Sequence, residues 1–163
     1  MVKHKIIPMP DATTGELLGL AETVYAYGGK VKISFLADEL RMEMDDLGDV
    51  IDMCELLGVI KVKNGTLLLT LFGEALSLGN IDDKKRILRD KLKKVEPFKT
   101  AIVLIKKSKG KMDEKNLLDG LKEKFVIEDQ KLFHKLMLGW GNYTELFEYD
   151  ADDHIFRLNT SFR

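Results

Sequence analysis

Three histidines, one cysteine, several acidic pairs and a Gly-Gly-Lys run are the residues of this 163-residue chain whose types could carry chemistry. None has the spacing that chemistry needs. Gly28-Gly29-Lys30 fails as a phosphate-binding loop: the loop's first glycine would fall at Thr23, and Val31 stands where Ser or Thr is required. The glycines read as a helix stop. His4, His134 and His154 are scattered, and none pairs at ligand spacing with Cys54 or another histidine. Cys54 lies on an apolar helical stripe, and the acids to either side of it, Asp52 and Glu55, disfavour a thiolate. The Gly-x-Ser-x-Gly elbow of a serine nucleophile is absent. Asp45-Asp46 and Asp152-Asp153 fall where a helix start and a turn collect acids. The expectation is a non-enzyme without cofactor or metal.

Charge is the stronger signal. The formal net charge is −1, yet residues 1–58 hold 11 acids against 5 bases, residues 59–111 hold 5 against 14, and residues 112–163 hold 11 against 7. The basic part contains Lys84, Lys85, Arg86, Arg89, Lys91, Lys93 and Lys94. Such a run reads either as a patch for nucleic acid, an acidic protein or a lipid surface, or as the solvated side of an amphipathic helix. Aromatic residues for base stacking are not interleaved with it, which favours the second reading.

The elements that must position these residues centre on Asp45 to Thr70. Leu47, Val50/Ile51, Cys54 and Leu57 recur at helical spacing, Gly58 ends the helix, and Asn64-Gly65 joins two β-prone runs in a tight hairpin. Before this come a helix capped by Thr13 or Thr14, a short strand Lys30 to Ser34, and a helix from Phe35 to Arg41 capped by Ser34, with Phe35, Leu36 and Leu40 inward. Helix, strand, helix, helix, hairpin is the winged-helix order. A capped basic helix follows Asn80, with Ile81, Leu88, Leu92 and Val95 as its buried stripe, then a helix from Phe98 to Lys107. The order then repeats: a helix capped by Asp113, a helix from Glu128, a continuation through Trp140 to Phe147, and a hairpin about Ala151 to His154. The expected fold is α+β, mostly helical, with two tandem winged-helix units packed together: residues 12–80, and residues 81–163 with the basic helix. Met1 to Asp11 reads as an extended arm.

DNA is the usual partner of a winged helix. Here the third helix, which such folds place in the major groove, holds Asp45, Asp46, Asp49, Asp52 and Glu55 and no base. Five acids would be repelled by phosphates. DNA contact would fall to Lys61 and Lys63 of the hairpin and to Lys84, Lys85, Arg86, Arg89 and Lys93. One cysteine precludes an intrachain disulfide, and no apolar run reaches the ~18 residues of a membrane span. The expectation is a cytoplasmic protein with no membrane insertion.

The run Gly15 to Glu22, then Gly28-Gly29, Leu36 to Leu40, Asp45-Asp46-Leu47, Glu55 to Gly58 and Leu69-Thr70 with Gly73 resembles the C-terminal AAA-associated domain. That domain follows the ATP-binding cassette in nitrate/sulfonate-type ABC transporter ATPases. The segment from Trp140 to Asp150 is similar to the same family's closing motif, although Asn142 stands where the family usually has Arg. The resemblance spans roughly Pro8 to Leu158. It implies a non-catalytic interaction or regulatory module that, having no cassette motifs in this sequence, would act in trans or alone, with an ABC ATPase or a second copy of the chain in a homodimer as its partner. A DNA-binding regulator is the alternative. Trp140, Tyr143, Leu146 and Phe147 recur at helical spacing as core residues would; Trp140 and Tyr143 are the candidates for an aromatic partner contact.

Overall fold

The structure is a computed structural model that describes residues 4–159. The chain divides into two compact units: one is Pro10–Lys84, and the other joins the segment ending at Met9 to everything from Lys85 onward.

In the unit Pro10–Lys84, Thr13 opens α1 (Thr14–Ala26) through a capping box. Its hydroxyl accepts from the Glu16 amide at 3.1 Å, and the Glu16 carboxylate accepts from the Thr13 amide at 2.9 Å. Leu17, Leu20, Ala21 and Val24 are the buried face. Gly28 and Gly29 both take φ +86°, and the Gly29 amide closes onto the Val24 carbonyl at 2.8 Å, a helix stop that residues with a Cβ rarely adopt. The chain continues through β1 (Lys30–Lys32), α2 (Ile33–Leu40), α3 (Met44–Leu56), β2 (Ile60–Lys63), β3 (Thr66–Leu69) and α4 (Leu71–Leu78). β3 lies between β1 and β2, antiparallel to both. The turn Asn64-Gly65 has positive φ at both residues, as a two-residue hairpin of this hand requires.

A tight corner fixes how the hairpin meets the helices. The Thr70 amide donates to the Val59 carbonyl at 3.1 Å, and its hydroxyl donates to the Gly58 carbonyl at 2.5 Å while accepting from the Gly73 amide at 3.0 Å. Thr70 is therefore both the N-cap of α4 and the clamp on the α3–β2 bend. Gly73 allows the approach: a Cβ there would lie 2.1 Å from the Val59 oxygen.

The other unit contains most of α5 (Ile81–Leu92), then α6 (Phe98–Lys107), β4 (Lys111–Asp113), α7 (Glu114–Lys122), α8 (Gln130–Leu136), a π-helical turn Met137–Asn142, β5 (Phe147–Asp150) and β6 (Ile155–Leu158). The sheet order is β4-β6-β5. Helix, strand, two helices and a hairpin therefore recur in the same order, with the last strand central in each sheet. Phe133, Phe147 and Tyr149 pack against Phe156 at ring separations of 5.8, 6.4 and 4.6 Å. The arm, described from His4, adds to this unit: the Ile6 amide donates to the Lys124 carbonyl and Val126 donates back to Ile6.

Several local expectations are corrected. α2 begins at Ile33, directly after β1, because the Ile33 amide is taken by the Gly65 carbonyl at 3.0 Å; Ser34 lies inside the first turn rather than capping it. The shift turns Phe35 outward, 44% exposed, where its ring meets Tyr27 edge-on at 5.1 Å. Ile81 is the first residue of α5 and 69% exposed, so only Leu88 and Leu92 anchor the expected stripe fully. Trp140 to Phe147 is no continued helix: the π-helical turn ends at Asn142, Glu145 takes φ +64°, and β5 starts at Phe147.

Two glycine substitutions test this description in opposite directions. Gly73→Ala should destabilise the chain by about 2 kcal/mol or more in denaturant unfolding, because the clash is with backbone. Gly48→Ala, inside α3 with nothing within 4 Å, should stabilise it by about 0.5–1 kcal/mol.

Candidate functional site: charged faces and a buried carboxylate

Directly opposed residues of an antiparallel pair share a face of the sheet. Lys30 and Lys61 both oppose Leu68, and Lys32 and Lys63 both oppose Thr66. All four lysines therefore stand exposed on one face, while Val31 and Leu67 are buried on the other. Sequence reasoning found Lys61 and Lys63 but not their partners across the sheet. The signal was the shared alternation Lys-x-Lys at 30–32 and 61–63; what was missing was the register of β1. In the other sheet the corresponding rows are Lys111–Arg157–Glu148 and Asp113–Ile155–Asp150, so both signs mix there.

α3 of the same unit carries the opposite charge. Asp45, Asp46, Asp52 and Glu55 are exposed and Asp49 half-buried, while Leu47, Val50, Ile51, Met53 and Cys54 are buried. Met44 and Leu56, at the two ends of this acidic surface, are 56% and 44% exposed. Neither the four lysines nor the five acids has an ion-pair partner among the described residues.

The basic run on α5 is distributed differently. The Lys84 ammonium donates to the Ser77 and Gly79 carbonyls and lies 3.5 Å from Glu22, a cation at the C-terminal end of α4. Lys85 lies over the Tyr143 ring at 5.3 Å, so the structure brings these two candidates together. Arg89 is only 4% exposed: it donates to the Thr144 carbonyl at 2.9 Å and lies 3.7 Å from Glu145. Burial pushes the Arg89 guanidinium below its ordinary pKa, against the pull of Asp90 and Glu145. Lys93 is half-buried, 3.9 Å from Asp90, and Arg86 is exposed. Trp140 is 1% exposed, and Thr144 holds its carbonyl at 2.7 Å. The Asn142 amide donates to the Phe147 carbonyl at 2.9 Å, closing the turn before β5.

One polar centre escaped sequence reasoning. Glu114, the first residue of α7, is buried, and its carboxylate gathers Gln130 at 3.0 Å, Tyr149 at 3.1 Å, His154 at 3.4 Å and His134. Tyr149 also hydrogen-bonds the His154 ring at 3.0 Å. The two histidines that looked unrelated at 20 residues' separation thus meet at one acid. Burial raises the Glu114 pKa, but hydrogen bonds from Gln130, His134 and Tyr149 outweigh it and hold the carboxyl below the ordinary carboxylate range. Burial first, then Glu114, raises the pKa of Tyr149. An open groove of about 550 Å³ lies alongside, bounded by Lys115, Leu118, Lys122, Asp153 and His154. Among the described residues no group of three or more His, Cys, Asp or Glu is arranged to hold a metal ion, and no helix is long and apolar enough to cross a membrane.

These features define an α+β domain of two like-ordered units with strongly segregated surface charge. A family model, that of the C-terminal AAA-associated domain, matches residues 35–150, and the chain belongs to that family. The match includes the closing Trp140–Asp150 motif but not the Gly15–Glu22 run on α1. Comparison with curated proteins and with solved structures gave no match.

Two outcomes follow. Glu114→Gln should cost about 1–3 kcal/mol at neutral pH, since it removes a charged acceptor from a buried network. Because the folded pKa is depressed, the stability that Glu114 adds is fully present above its unfolded value and is lost as pH falls through the folded one; the variant should lose that part of the acid dependence in pH-resolved unfolding. Cys54 is buried with its thiol pushed up to about 12 by burial and Glu55. Its reaction with a disulfide reagent at pH 8 should run at least about 100-fold slower than in the unfolded chain.

Proposed function

We propose that the chain is a non-catalytic regulatory module, built of two winged-helix units, that works in the cytoplasm by docking on an ABC-type ATPase. The observation that carries this reading is the family match, which runs through both units. Segregated charge supports it: single-sign surfaces suit recognition of another macromolecule and steer its approach. The two units are proposed as the modules read in sequence, residues 12–80 and 81–163.

A second reading, DNA binding, is favoured by one observation, the four-lysine face that includes Lys61 and Lys63. Against it stands α3, whose five acids occupy the position from which winged helices read a major groove.

The test is a titration of the fluorescently labelled full chain with a purified nitrate/sulfonate-type cassette ATPase, and separately with mixed-sequence duplex DNA. The expected result is saturable binding to the ATPase with a change in its ATP turnover, and a DNA signal that vanishes by ~150 mM salt. DNA binding that persists at that salt and disappears in Lys61→Glu/Lys63→Glu, with no response to the ATPase, would replace this reading with the second.

A further inference from the structure

We infer that the unit Pro10–Lys84 pairs with a second copy of this chain, the acidic face of α3 in one copy seating on the four-lysine sheet face of the other. The inference rests on the reading of the chain as an interaction module, and it can fail separately: a strictly monomeric chain would leave docking on an ATPase standing.

Both halves of the contact are present on one unit. The sheet offers Lys30, Lys32, Lys61 and Lys63 around the half-buried Leu68 of the central strand. The helix offers Asp45, Asp49, Asp52 and Glu55, with Met44 and Leu56 exposed at its ends. Each is a small apolar centre or flank framed by charge of a single sign, the arrangement of a polar-rimmed interface. The charges are unpaired among the described residues, so a partner does not have to break existing ion pairs.

Spacing agrees as well as sign. Lys30 and Lys61 flank one residue of the central strand, two inter-strand steps or ~9.6 Å apart, and Lys32 and Lys63 repeat that interval. Asp45 and Asp52 are seven residues apart on α3, ~10.5 Å along its axis. A helix laid across the strands would set Asp45 and Asp52 over the lysines of the two edge strands, with Asp49 between. The other sheet, with Lys111 and Arg157 beside Glu148, Asp113 and Asp150, lacks such a surface, so the lysine face is no mere consequence of the recurring element order. Duplex DNA would satisfy the lysines but not the acids; a second copy satisfies both.

Sedimentation of the full chain tests this at ~100 μM in ~20 mM and ~300 mM salt, where screening separates charge-driven from apolar association. Two double variants accompany the wild type. Lys30→Glu/Lys61→Glu leaves two glutamates against Lys32 and Lys63 on the sheet face and so removes its net positive charge, while α3 stays acidic. Asp52→Lys/Glu55→Lys leaves Asp45, Asp46 and Asp49 against two lysines and so removes most of the negative charge of α3, while the sheet face stays basic; it lies in the C-terminal half of α3, where cations suit the helix dipole. Circular dichroism and thermal unfolding establish that each variant is folded. The expected result is wild-type association that weakens at least about tenfold at the higher salt, monomeric variants apart, and hetero-association when the two variants are mixed. A wild type that is monomeric at both salts, or self-association that both variants retain, would overturn the inference. So would a monomer that binds duplex DNA through Lys30 and Lys61, which would assign the lysine face to nucleic acid.

Discussion

The register of one three-stranded sheet decides what the unit Pro10–Lys84 presents to its surroundings. Side chains alternate along a strand with a period of two, so a slip of a single residue would bury the lysines and expose Val31 and Leu67. Two constraints hold the register. The Asn64-Gly65 turn fixes β2 on β3, and the Thr70 clamp fixes β3 against the α3–β2 bend, where Gly73 alone permits the approach of α4. Gly29 adds a third link, its carbonyl accepting from the Leu69 amide at 2.9 Å. These small residues contribute little buried area, yet the charged face depends on them.

Much of this was legible in the sequence. The helix stop at Gly28-Gly29, the Asn-Gly hairpin, the caps at Thr13, Asn80 and Asp113 and the helix Phe98 to Lys107 all follow from local rules: positive φ, N-terminal acceptors and apolar periodicity. The polarity of α3 was legible for the same reason, since its acids and its apolar stripe alternate at helical spacing. The errors arose where a non-local partner overrode a local preference. Ser34 is a good cap by type, but the Gly65 carbonyl captures the preceding residue and starts the helix early. The segment after Trp140 has the spacing of a helix, yet it turns through a π segment because Phe147 must enter the sheet.

The candidate site was less legible, for a physical reason. Distances between side chains on different elements are set by topology, not by spacing in sequence. Lys30 and Lys61 become neighbours only once β1 pairs with β3. His134 and His154 converge only because α7 presents Glu114 to both. The basic run on α5 illustrates the converse. Adjacent in sequence, its residues diverge in use: Lys84 closes a helix end, Lys85 covers Tyr143, and Arg89 holds the Thr144 carbonyl in the interior. Sequence density of charge was thus a poor guide to surface charge, and strand register was a better one.

The claim that the opposed charged faces are the working surfaces of this domain is tested most directly by the backbone amide spectrum of the isotope-labelled chain, recorded dilute, concentrated, and with the cassette ATPase added. The account predicts that shifts and broadening gather on α3 and on β1, β2 and β3. Changes gathered instead around the Glu114 groove, or none at all, would contradict it.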